Sequence, residues 1–294
     1  MGKKVALVLS SGGARGVAHI GVIEALIEQG YEITSVAGSS MGAVVGAFYA
    51  CGKLDEFSKW ITQLDRLEVF KLVDFTFSSQ GFIRGERVFK SLEKFIPDRS
   101  IEEMKIPFAA IAADLTSRKD VVFESGSMYK AIRASVAIPT VLTPVKAGES
   151  LYVDGGVTNP IPADKVKRTL NDIMVVSNVN AFIPYISPFP AKTPKESNQY
   201  TKRIEELMMQ IGKMIPGTRT PQTKLGYFDV LNESLDLLQD RLTTELLKQY
   251  KPDISVSISR DACSTFEFYK AKEMIAAGRH AFEKAQAESL TLEK

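Results

Sequence analysis

Histidine and cysteine are scarce in this chain, and each scarcity removes a class of chemistry. Two histidines, His19 and His280, among 294 residues cannot build a multi-histidine metal centre, so no metal is expected. Two cysteines, Cys51 and Cys263, lie too far apart in sequence to suggest a disulfide framework or a thiolate cluster. They read as reduced thiols, and a cytoplasmic location is expected. Charge of one sign is missing too: 37 Lys and Arg against 35 Asp and Glu leave a net +2. That balance supplies no basic footprint for nucleic acid. No stretch offers the ~20 apolar residues that a spanning helix needs, and the weakly polar run 36–51 is interrupted by glycines and serines. The start, Met1-Gly2-Lys3-Lys4, has the basic character of a leader, but the apolar run after it is only Val5 to Leu9. It reads as a first buried strand, and the protein as soluble or peripheral to a membrane.

What is present is ordinary globular composition, 45% hydrophobic and 24% charged, enough for one large α/β domain or two small ones. The organising stretch is Gly38-Ser39-Ser40-Met41-Gly42, a Gly-x-Ser-x-Gly pattern. A β-branched strand ending at Ala37 precedes it, and a small-residue helix from Met41 to Cys51 follows. A serine on so sharp a turn presents its hydroxyl beyond the sheet edge, at the end of a helix whose unpaired N–H groups favour negative charge. The chance reading also stands, because three fixed residues are easily matched in a chain with 20 glycines.

Upstream, strand Val5–Leu9 runs into Ser10-Ser11-Gly12-Gly13-Ala14-Arg15-Gly16, and a helix is expected over Val17–Gln29 with Ile20, Ile23, Leu26 and Ile27 on one face. Strand, glycine loop and helix start form a nest of N–H donors for an anion. Two uses compete. A dinucleotide pyrophosphate would need an acidic residue about twenty positions on, and Glu32 is near that place. An oxyanion hole for an acyl intermediate fits better, because the loop leads directly to the serine elbow and Ser11 occupies the first glycine position of the dinucleotide pattern.

Downstream, a strand at Leu151–Val153 delivers Asp154 to Gly155-Gly156. This is a carboxylate at a strand end beside glycines that admit a substrate, or equally a common Asp-Gly turn. Residues 54–95 read as helical, with Phe57, Trp60, Ile61 and Leu64 and then Val88, Phe89, Leu92 and Phe95 as core stripes. Buried strands are expected at 106–114, 120–124, 172–179 and 253–258, a short helix at Met128–Ser135, and a closing helix at Lys272–Glu288. Between 182 and 250 lie a segment Phe182–Pro194 with four prolines, an amphipathic helix at 195–215, and a second helix with Leu231, Leu235, Leu238, Leu242 and Leu246 along one face. That insertion reads as a lid or membrane-facing surface, or as a face packed on the core or on another subunit.

Together these motifs resemble the patatin-like phospholipases in a bacterial single-domain form. The likeness rests on Gly12-Gly13-Ala14-Arg15-Gly16, on Gly38-x-Ser40-x-Gly42, and on Asp154-Gly155-Gly156. Arg84-Gly85, Ala131-Ile132-Arg133-Ala134-Ser135 and Asn159-Pro160-Ile161-Pro162 add to it. It covers about Val5–Asn180 and returns over 253–285. One departure stands out: Ser11 replaces the first of three glycines that usually open the oxyanion loop. The resemblance implies a single domain over 1–294 with a three-layer α/β/α fold, a mainly parallel sheet and a variable, mainly helical insertion at about 182–250. It also implies a Ser40–Asp154 dyad, and the scarcity of histidine is in keeping with that. Gly12, Gly13, Ala14 and Arg15 would form the oxyanion hole, with Gly38, Gly42, Gly155 and Gly156 as elbow and turn glycines. Metal and cofactor are absent from that scheme, and His19 reads as a packing or loop-bracing residue, with a catalytic role as the alternative. The expected activity is hydrolysis of lipid or phospholipid esters through an acyl-serine. Acyl transfer from the same intermediate, or a non-catalytic regulatory role, are the alternatives.

Overall fold

Residues 2–78, 81–189 and 226–292 are described in the computed structural model. Five strands form the parallel body of the main sheet: β1 (Lys4–Leu9), β2 (Glu32–Ser39), β5 (Phe108–Asp114), β10 (Ile173–Ala181) and β11 (Ile254–Ser259). They lie in the order β11-β10-β1-β2-β5. The sheet then turns antiparallel. β9 (Ser150–Asp154) and β6 (Lys119–Phe123) both pair with β5, and β8 (Val145–Ala147) pairs with β9.

Strand β1 shows why such strands read as unbroken apolar text. Val5, Leu7 and Leu9 point into one core, whereas Ala6 and Val8 point into a second core on the opposite face. β10 divides likewise, with Ile173 and Val175 on one side and Met174 and Val176 on the other. Burial on both faces is what a parallel sheet requires of its strands. The first core is covered by α1 (Ala18–Glu28), α2 (Met41–Ala50) and the closing helix, here α8 (Ala271–Leu292). On the second face α7 (Tyr227–Tyr250) contributes Leu246, Leu247 and Tyr250. The result is the three-layer α/β/α arrangement expected.

Helices α1 and α8 cross unusually closely. A Cβ on Gly21 would strike the Ile275 carbonyl, and one on Gly278 would strike the Ala18 carbonyl. Arg279 completes the crossing by pairing with Glu24 and Glu28. At the far side of the sheet Asp114 ties β5 to β9. Burial pushes its carboxyl up, but donors from Thr116 N, Ser117 Oγ, Leu151 N and Ser150 Oγ outweigh that and hold it at about 2.

Several expectations need correction. The stretch read as helical, 54–95, contains α3 (Leu54–Ile61), α4 (Arg66–Leu72) and α5 (Glu86–Glu93), but also strands β3 (Phe75–Ser78) and β4 (Gly81–Ile83). These strands join β7 (Thr140–Leu142) in a separate small sheet. Phe95 is exposed and Ile96 takes the buried place, because α5 ends before the expected stripe is complete. Ile27 is half exposed at the end of α1. On α7, Leu238 is 66% exposed, so the leucine stripe does not pack along its whole length. The expected helix at 195–215 lies outside the described residues. No helix among the described residues is long and apolar enough to cross a membrane.

Candidate active site

The register of β5 brings the serine and the aspartate together. β2 runs parallel to β5 and pairs its last residue, Ser39, with Ile111. β9 runs antiparallel from the opposite direction and pairs Asp154 with Ala112. Two strands therefore meet end to end along one partner, and the residues at their tips become neighbours. Ser40 Oγ donates to Asp154 Oδ2 at 2.6 Å.

The elbow is strained and braced. Ser40 has φ 55 and ψ −125, a region that costs a non-glycine residue about 1–3 kcal/mol and persists only where packing enforces it. The two pattern glycines provide the room. A Cβ on Gly38 would meet the Gly42 backbone, and one on Gly42 would meet the carbonyls of Leu9 and Ser10. Ser135, at the end of α6 (Met128–Ser135), accepts the Ser40 amide at 2.9 Å and donates to the Ile111 carbonyl at 2.5 Å. Ser39 Oγ donates to the Asn159 carbonyl.

Asp154 is buried, at 4% exposure. Its Oδ1 accepts the Gly156 amide at 2.7 Å. Burial dominates and pushes the carboxyl up to about 6, although the bonds from Ser40 and Gly156 pull the other way. Such a value suits a general base near neutrality.

The glycine loop is fixed at several points. The Ser11 amide donates to the Pro160 carbonyl, and the Ala14 amide donates to the Thr265 carbonyl at 2.9 Å. Ala14 is therefore not free to bind an oxyanion. Gly12 caps and Gly13 opens the 3₁₀ turn Gly13–Val17, and among the described residues no acceptor takes their amides. Arg15 donates to Asn180 Oδ1 and to the Cys263 carbonyl, which holds the loop against β10 and β11. Ser11 does not adopt positive φ, so serine fits the place of the missing glycine.

His19 is fully buried beneath this loop. Its Nε2–H donates to the Ser10 carbonyl at 3.0 Å, which leaves Nδ1 to accept from Ser177 Oγ at 2.8 Å. Burial drives its pKa down to about 4, so it stays neutral. It braces the loop, as the sequence suggests. His280 is exposed on α8. Sequence reasoning gave no role to Ser135; a serine near a helix end carries no signal until the register of β5 is known.

The patatin-like phospholipase profile matches residues 7–167. The Mycobacterium bovis protein named "Uncharacterized NTE family protein Mb1092c" is 33% identical over 94% of this chain and 89% of its own length. Mouse "Patatin-like phospholipase domain-containing protein 6" is 33% identical over 60% of this chain, which corresponds to 13% of the mouse protein. The chain belongs to the patatin-like phospholipase family. Membership supports lipid hydrolase activity in general, and the matched span contains the glycine loop, the elbow and Asp154-Gly155-Gly156.

Proposed function

We propose that this patatin-like chain is a serine acyl hydrolase of lipid esters, with Ser40 as nucleophile and Asp154 as its base. The observation that carries the reading is the 2.6 Å bond from Ser40 Oγ to a buried carboxylate. In this scheme Ser40 Oγ attacks the ester carbonyl carbon while its proton passes to Asp154 Oδ2. The amides of Gly12 and Gly13 hold the oxyanion, aided by the N-terminal end of α2. Asp154 returns the proton to the leaving alcohol as the ester C–O bond breaks, and the acyl group stays on Ser40. Water then attacks that acyl carbon, Asp154 takes its proton, and the released Ser40 oxygen recovers it as the carboxylic acid departs.

A carboxylate of ordinary acidity is too weak a base for this work; desolvation of Asp154 supports the assignment by raising its basicity. Support for a lipid substrate comes from the segment leaving β10 at the sheet edge that carries Ser40. Phe182, Ile186 and Phe189 are exposed there. Such a surface suits an acyl chain or the face of a lipid aggregate.

The test is labelling and turnover together. A fluorophosphonate should modify Ser40, and p-nitrophenyl esters of increasing chain length should show a burst followed by steady turnover. Ester turnover retained by Ser40→Ala would end this reading.

A further inference from the structure

Ser11 is 4% exposed, yet among the described residues its hydroxyl oxygen has no hydrogen-bond partner. Its backbone is fully committed. The amide donates to Pro160 O, and the carbonyl accepts from Ser10 Oγ and Asn180 Nδ2. With the main chain pinned, the side chain can respond only by rotating about χ1 between staggered wells. A buried polar atom without a partner is rare and calls for an explanation.

Gly156 shows what the hydroxyl faces. A Cβ placed on Gly156 would lie 2.9 Å from Ser11 Oγ and 3.0 Å from Asp154 Oδ1. The hydroxyl and the carboxylate therefore border the same space, the one left free by the missing Gly156 side chain. Asp154 Oδ1 accepts one bond, from the Gly156 amide, and an ionised carboxylate oxygen can accept another.

We propose that Ser11 is a positioning residue for the dyad: its hydroxyl turns onto Asp154 Oδ1 as a further donor whenever that carboxylate bears the negative charge. This rests on reading Ser40 and Asp154 as the reacting pair. The donor favours the charged form and releases it when the proton arrives from Ser40, which keeps the base ionised in spite of its burial.

Among the described residues no charged side chain bonds to Asp154. Asp114 on β5 is held by its four donors. Arg133 on α6 donates to the Arg84 and Thr143 carbonyls. Arg15 is held by Asn180 and Cys263, and His19 on α1 by Ser10 and Ser177. On α7, Asp236 and Asp240 face Arg260. Among the described residues, burial, Ser40 and Gly156 are what shift Asp154.

The experiment titrates the Asp154 side-chain carboxyl by carbon-13 NMR in the wild type, Ser11→Ala and Ser11→Gly, with folding checked by near-ultraviolet circular dichroism. Removing a donor to a charged group should raise the Asp154 midpoint by about one pH unit, and the acid limb of kcat/KM should move with it. An unchanged or lowered midpoint in a folded variant overturns the proposal. If neither variant folds, a high-resolution crystal structure of the wild type at pH 8 decides. Ser11 Oγ within hydrogen-bond distance of Asp154 Oδ1 supports the proposal, and an oxygen turned away overturns it. Because the titration needs no turnover, an inactive wild type would count against the hydrolase reading alone.

Discussion

Ser135 bridges the Ser40 backbone to the central strand, accepting the Ser40 amide and donating to the Ile111 carbonyl. One hydroxyl thus satisfies two buried backbone groups and holds the strained elbow in place. Ser135→Ala would leave both groups unpaired, a loss of about 1–3 kcal/mol. The variant should therefore unfold at lower urea concentration. Its kcat/KM should fall by about tenfold or more, and fluorophosphonate labelling of Ser40 should slow in step. Unchanged labelling would mean that the elbow keeps its shape without the bridge.

In the proposed scheme Asp154 takes the Ser40 proton only when ionised, so activity should rise with pH through an apparent pKa of about 6. Asp154→Asn should be inactive. Its effect on stability should depend on pH. A carboxyl raised in the folded state contributes stability below its unfolded pKa, ~3.9, and loses it as pH rises through about 6. Relative to wild type, then, Asp154→Asn should gain about 2–3 kcal/mol between pH 4 and pH 8. Urea unfolding at the two pH values measures it, and a constant difference would refute the assigned burial cost.

Legibility in the sequence followed how local each determinant is. Gly38-x-Ser40-x-Gly42 and Asp154-Gly155-Gly156 were readable because their geometry is set within a few residues. The doubly buried strands β1 and β10 were readable because both of their faces are apolar. Strands β3 and β4 were not: they are four and three residues long and complete their small sheet through β7, far along the chain. The Ala14 amide looked free in a glycine loop, but it is taken by Thr265, more than two hundred residues later. Leu238 read as one of an apolar stripe facing either a membrane or a packed surface, since periodicity shows that a helix has an apolar face and not how much of that face is covered.

His19 should govern acid stability with a sign opposite to that of Asp154. Its folded pKa is lowered to about 4, against ~6.5 for a free imidazole. The contribution is complete above pH 6.5 and is lost as pH falls towards 4, by up to about 3 kcal/mol. His19→Gln should flatten the dependence of unfolding free energy on pH between 4.5 and 6.5, while the activity limb near pH 6 stays with Asp154. A limb that vanished in this variant would move the catalytic base to His19.

The crossing of α1 and α8 links packing to the glycine loop, because Gly278 abuts the carbonyl of Ala18, the first residue of α1. Gly278→Ala must push that end of the helix away, and the 3₁₀ turn Gly13–Val17 leads directly into it. Overpacking of this kind costs about 1–3 kcal/mol, so the melting temperature should drop. Displacement of the loop should also lower kcat more than it raises KM, since oxyanion donors act on the transition state. Gly30→Ala is the control. Gly30 has positive φ but open space around it, so that variant should lose some stability and leave kcat alone. Equal kcat in both variants would show that the loop holds its place independently of the helix crossing.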